Sequence, residues 1–188
     1  MLQSNKGVFT SFGMKDSALR LGMRWFIGSL TVFLLASVLA IIIIRLQVTQ
    51  WPVLPPIPQT LWWSTGVLLL STLALQKVSK EWNPLWIWLA ILFGVLFLGL
   101  QILAAVQWQQ DLDAIGYTDE VVAIARMALY VLIFLHGVHV IGGLFPLGFV
   151  TTKRGYEKYE SIVPLLVTYW HFIFCIWIVF FITILFLR

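Results

Sequence analysis

Long apolar runs are the feature that most restricts what this chain can fold into. Five stretches, at 21–45, 61–76, 84–108, 121–150 and 163–187, are apolar enough to cross about 30 Å of hydrocarbon as helices of roughly 20 residues. The second is the shortest and has to recruit Thr60 or Lys77 at its ends, whereas the fourth is over-long and is expected to tilt or project. With 61% hydrophobic residues, 11% charged residues and a mean hydropathy of +0.95, the chain lies far outside the soluble globular range. The predicted fold class is an all-α integral membrane protein, a bundle of five transmembrane helices. It comprises a polar N-terminal segment over 1–20 and one membrane domain over 21–188. Because the first apolar run follows that polar segment and is too long for a signal-peptide core, it is expected to remain as an anchor.

Between the first two runs lies QVTQWPVLPPIPQT, where Pro52, Pro55, Pro56 and Pro58 remove amide donors and predict a stiff external loop. Pro84 opens the third helix at a position where its missing N–H costs nothing. Trp25, Trp51, Trp62, Trp63, Trp82, Trp86 and Trp108 fall near segment ends, as an interfacial aromatic belt requires; Trp170 and Trp177 fall inside the last helix and are expected between helices. With the amino terminus inside, Lys6, Lys15, Arg20, Arg24, Lys77, Lys80, Lys153, Arg154 and Lys158 share one side, nine of the twelve basic residues. That bias predicts a cytoplasmic amino terminus and an external carboxyl terminus. The basic balance is therefore a topology signal and points to no nucleic acid. No internal repeat of the inverted-transporter kind is apparent.

All eight acids lie in termini, loops or segment ends: Asp16, Glu81, Asp111, Asp113, Asp119, Glu120, Glu157 and Glu160. A pump or ion-coupled carrier normally keeps a carboxylate at depth, so this distribution argues against transport by this polypeptide alone. One cysteine, Cys175, excludes an internal disulfide. Imidazole is costly in hydrocarbon without a partner, which singles out His136, His139 and His171. His136 and His139 share a helix face at i, i+3 spacing, and His171 lies in the next helix. Three nitrogens could converge on a metal, or two could hold one haem; three histidines are too few for two bis-histidine haems. The commoner role is interhelical hydrogen bonding, with Gly137, Gly142 and Gly143 letting a neighbouring backbone approach. Gln101, Gln107, Ser29, Ser64, Thr65 and Ser71 read as helix-packing polar groups.

Over nearly its whole length the chain resembles subunit III of the haem–copper respiratory oxidases. ALRLGMRWFIGSLTV at 18–32 looks like the family's LRxGMxLFIxSE, the Trp51–Pro52 loop like its WPP-containing loop, WSTGVLLLST at 63–72 like NTxxLLxSS, and FGVLFLGLQ at 93–101 like LGxxFxxxQ. More specific are HGVHVIGG at 136–143, close to HGLHVIxG, and YWHF at 169–172, which matches the start of YWHFVDVVW. The common seven-helix members would align their last five helices here, and a five-helix form also occurs. The resemblance makes His136, Gly137, His139, Gly142, Gly143, Tyr169, Trp170 and His171 helix-packing signature residues, with no catalytic, cofactor or metal role. Three acids of the family pattern are missing, replaced by Leu30, Ala104 and Phe174, which puts an inherited proton-antenna role in doubt.

What the resemblance implies is a non-redox accessory subunit of a proton-pumping terminal oxidase in aerobic respiration, in a bacterial cytoplasmic membrane. The partners would be catalytic subunit I, which holds the haems and copper, subunit II, and phospholipid at the shared interface. Arg24, Trp25 and the His136/His139 face are the lipid candidates. A nitric oxide reductase accessory subunit is the alternative within the superfamily; a small haem-carrying cytochrome and an independent channel or carrier are the alternatives from other classes.

Overall fold

A computed structural model describes residues 4–47, 55–81, 83–115, 120–152 and 159–187. They form five helices: α1 (Ser4–Gln47), α2 (Gln59–Lys80), α3 (Pro84–Ile115), α4 (Glu120–Val150) and α5 (Tyr159–Leu187). Four of them contain stretches long and apolar enough to cross a membrane, at Ser17–Gln47, Pro84–Ala114, Tyr130–Val150 and Ile162–Phe186. α1 runs without interruption through the expected boundary at 20/21, since no proline interrupts the chain before Pro52 and the polar residues ahead of the apolar run simply add turns.

α2 is the helix whose composition falls short, and its burial shows why. Ser64, Ser71 and Thr72 are buried, interleaved with Leu61, Leu68, Leu75 and Val78, whereas Trp62, Trp63, Leu69, Leu70 and Leu73 are exposed. Ser64, Ser71 and Thr72 thus face the bundle among apolar neighbours, where other helices supply partners, and the outward face is wholly apolar at Trp62, Trp63, Leu69, Leu70 and Leu73. At the α2–α3 turn, Asn83 caps α3: its Oδ1 accepts the Leu85 amide at 2.9 Å and its carbonyl accepts Trp86 N–H at 3.1 Å, with Pro84 in the first helical position.

α5 is the axis of the bundle, packing on α1, α2 and α4, while α2 lies along α3 and α3 meets α4. Trp170 and Trp177 are fully buried within it, between helices as expected. The tryptophan belt needs one correction. Trp25, Trp62 and Trp63 are exposed and Trp86 is half-buried with Lys77 Nζ 4.3 Å above its ring, but Trp108 is buried and lines a small cavity together with Ile57, Pro58, Leu61 and Ile184. Its place near a segment end gives its depth, whereas its helix face turns it under the start of α2. Trp51 and Trp82 lie outside the described residues.

Candidate functional site at the seam of the last two helices

Trp170 ties four helices together. Its Nε1 donates to Ser71 Oγ on α2 at 3.0 Å, and that hydroxyl donates onward to the Ala90 carbonyl of α3 at 2.7 Å. Its ring fills space that two glycines leave open. A Cβ on Gly143 of α4 would stand 2.6 Å from Trp170 Cζ3 and 3.0 Å from Tyr169 Cε1; one on Gly94 of α3 would stand 2.9 Å from Leu144 Cδ2 and 3.2 Å from Trp170 Cζ2. Beside it, Tyr169 Oη donates to the His139 carbonyl at 3.0 Å, joining α5 to α4. Gly137 and Gly142 are not crowded in this way: a Cβ on Gly137 would meet Leu98 at 3.8 Å and one on Gly142 would meet Tyr169 Oη at 4.0 Å, ordinary contacts. Gly143 therefore carries the close approach of α4 and α5. Gly94, which sequence reasoning missed, does the same for α3; in FGVLFLGLQ nothing distinguishes it from Gly99, which has open space beside it.

The histidines do not form one shared face. His136 is buried in a box of aromatic rings, edge-on to Phe97 and Phe180 at centroid distances of 5.8 and 6.0 Å and tilted against Trp177 at 5.3 Å. His139 is half-exposed, with Nδ1 donating to the Leu135 carbonyl of its own helix, and lines a groove with Met23 and Phe26 of α1. Three residues of helix turn by about 300°, so a small offset from the α4–α5 line separates inward from outward. His171 Nδ1 likewise donates to its own helix, to the Val167 carbonyl at 2.8 Å. Among the described residues, no three histidine, cysteine or acidic side chains gather into a group that could hold a metal ion. The lipid-facing expectation for His136 is thereby corrected, because its ring is enclosed by protein.

Around this box the remaining polar groups pair across helices. Trp177 Nε1 donates to Thr65 Oγ1 at 2.9 Å, Gln101 Nε2 donates to Ser64 Oγ at 3.0 Å, and Thr60 Oγ1 donates to Gln107 Oε1 at 2.7 Å. Among the described residues, His136 Nε2, Gln101 Oε1 and Trp108 Nε1 are buried without a hydrogen-bond partner. The positions that replace the family's acids are apolar and packed: Ala104 is buried, and Leu30 and Phe174 lie partly buried against the core. Among the described acids, Glu81, Asp111 and Asp113 are exposed. Arg24 and Trp25 are both exposed on α1, Trp25 at 74%. The arrangement is thus a locking seam: it fixes helices relative to one another by ring-into-glycine packing and indole-to-hydroxyl bonds. Comparison with known proteins finds no matching protein-family model and no matching curated protein.

Proposed function

We propose that the chain is a non-redox accessory subunit, of the subunit III kind, of a haem–copper terminal oxidase. The observation that carries this reading is the coincidence of motif and contact. Residues of HGVHVIGG and of YWHF, the two stretches on which the resemblance is most specific, meet each other, with Tyr169 on His139 and Trp170 in the space beside Gly143. A signature that docks two helices is expected to behave in this way, whereas a bis-histidine haem site would need facing imidazoles.

In this reading all five helices cross the membrane. α2 is 22 residues long, about 33 Å of helix, and its inward polar side chains account for its weak hydropathy. The amino terminus is cytoplasmic, following the positive-charge bias, and the carboxyl terminus external, in a bacterial cytoplasmic membrane. The chain docks on catalytic subunit I, with subunit II in the same complex, and stabilises the subunit that holds the haems and copper while binding no cofactor itself. Phospholipid binds near Arg24, Trp25 and His139; His139 lines a groove of about 380 Å³ with Met23 and Phe26 of α1, and Arg24 and Trp25 lie exposed between those two in sequence. The apolar residues Leu30, Ala104 and Phe174 favour, as a second reading, the corresponding accessory subunit of a nitric oxide reductase, whose partner would not require a proton-collecting surface here.

The test is mild-detergent purification of the tagged chain from its native membrane, with an optical spectrum and identification of co-purifying chains. A large haem- and copper-bearing subunit that keeps the pigment on dissociation supports the oxidase, and one with haem and non-haem iron supports the reductase. A Soret band retained on the isolated chain would sink both.

A further inference from the structure

Between them α3 and α4 leave a slot of about 430 Å³, lined by Gln101, Ile102, Ala105, Ile133, Phe134 and Gly137. Ile102 is 67% exposed and Phe134 70% exposed, so the slot opens sideways, toward the surroundings of the helices. It extends along α4 from Tyr130 to Ile141, eleven residues apart in sequence, which is about 16 Å of helix and close to the roughly 15 Å of one leaflet of hydrocarbon.

The Tyr130 end is polar and carries both charges. Tyr130 Oη donates to Gln109 Oε1 at 3.1 Å, Gln109 Nε2 donates to both Asp113 carboxylate oxygens at 2.9 and 3.0 Å, and Arg126 Nη1 stands 3.7 Å from Asp113 Oδ1. Arg126 and Asp113 keep 31% and 62% of their side-chain surface exposed, so each can take a further partner. A slot of one leaflet's length ending at a paired cation and carboxylate matches a molecule with one long apolar chain and a headgroup bearing both signs. The described charged side chains toward this end of α3 and α4 are Asp111 and Asp113 against Arg126, an acidic excess that disfavours a headgroup of net negative charge.

We propose that the α3–α4 slot is a binding site for a zwitterionic aminophospholipid. One acyl chain lies between Phe134 and Ile102, the phosphate meets the Arg126 guanidinium, and the ammonium group meets the Asp113 carboxylate. This site adjoins the α1-side groove at Val138, which lines both, and does not rest on the oxidase reading; it requires that α3 and α4 cross a bilayer.

The test uses the full chain in vesicles of phosphatidylethanolamine and phosphatidylglycerol, with a photoreactive diazirine in the acyl chain of one lipid or the other, and maps the adducts by mass spectrometry. The phosphatidylethanolamine probe should label the Tyr130–Ile141 stretch at least about fivefold more than the phosphatidylglycerol probe, and Arg126→Gln should remove that preference. Gly137→Leu, which fills the slot, should lower labelling by both probes; Arg126→Gln sits at the exposed end and keeps the test valid if the filled slot disturbs folding. Equal labelling by both headgroups would reduce the slot to ordinary lipid contact and overturn the proposal. So would adducts confined to another protein chain in native membranes, which would make the slot a helix-docking surface.

Discussion

α5 and α1 are both long apolar helices, yet they sit in the bundle in opposite ways. In α5, Trp170 and Trp177 are fully enclosed, each indole N–H has a hydroxyl partner on α2, and Trp177 meets Phe97 edge-on at 5.4 Å. In α1 a narrow stripe of Leu34, Val38 and Ile41 is buried, while Trp25, Val32, Phe33 and Leu39 point away from the protein. Apolarity does not separate them, because lipid tails are as apolar as leucine and supply no force that drives one helix inside. Shape does: large rings against glycine, and donors against hydroxyls.

Trp170→Ala should break the contrast most strongly, because it empties the junction of four helices and leaves the Ser71 hydroxyl only its bond to the Ala90 carbonyl. A loss of about 3–5 kcal/mol is expected, read as a shift in unfolding by sodium dodecyl sulfate in mixed micelles. A loss under about 1 kcal/mol would mean that the seam does not hold the bundle. Next comes a pair. Gly143→Ala puts a methyl group where 2.6 Å separates it from Trp170 and should cost about 1–3 kcal/mol, while Gly137→Ala, with 3.8 Å available, should cost under about 0.5 kcal/mol. Equal costs would show that glycine acts at both sites through helix propensity and not through close packing. Ser71→Ala is subtler: it keeps the volume but leaves the Trp170 N–H without its acceptor, for about 1 kcal/mol in the same assay.

How much of this could be read in advance depends on the scale of the signal. Four helices were legible as candidate spans because long apolar runs are written in consecutive residues, and so was the start of α3, because Pro84 is a local signal; the Asn83 cap beside it was not read. The start of α1 was not, since a helix can lengthen through polar residues outside the membrane with no change that hydropathy detects. The seam was half legible. HGVHVIGG and YWHF marked the residues, but Ser71 and Trp170 lie 99 positions apart, and no spacing rule joins them. Nor does i, i+3 spacing fix which of His136 and His139 turns inward; that depends on the angle at which α4 meets its neighbours.

The smallest expected effect falls on the other side of the comparison. Phe33 on α1 is 55% exposed, and Phe33→Ala removes a ring that in the isolated chain touches lipid on its open side. Since hydrocarbon replaces hydrocarbon there, the unfolding free energy should move by under about 0.5 kcal/mol. The same substitution in native membranes asks a sharper question, because a face that lipid covers is indifferent to it and a face that a partner helix covers is not. If Phe33→Ala leaves the isolated chain unchanged but loosens its co-purification with a catalytic subunit, α1 is outward in the bundle because another protein completes its packing. Its poverty of internal contacts then belongs to the assembly. If both measurements stay flat, α1 is a lipid-facing helix held by its buried stripe alone, and the docking surface has to be sought on α2 or α3.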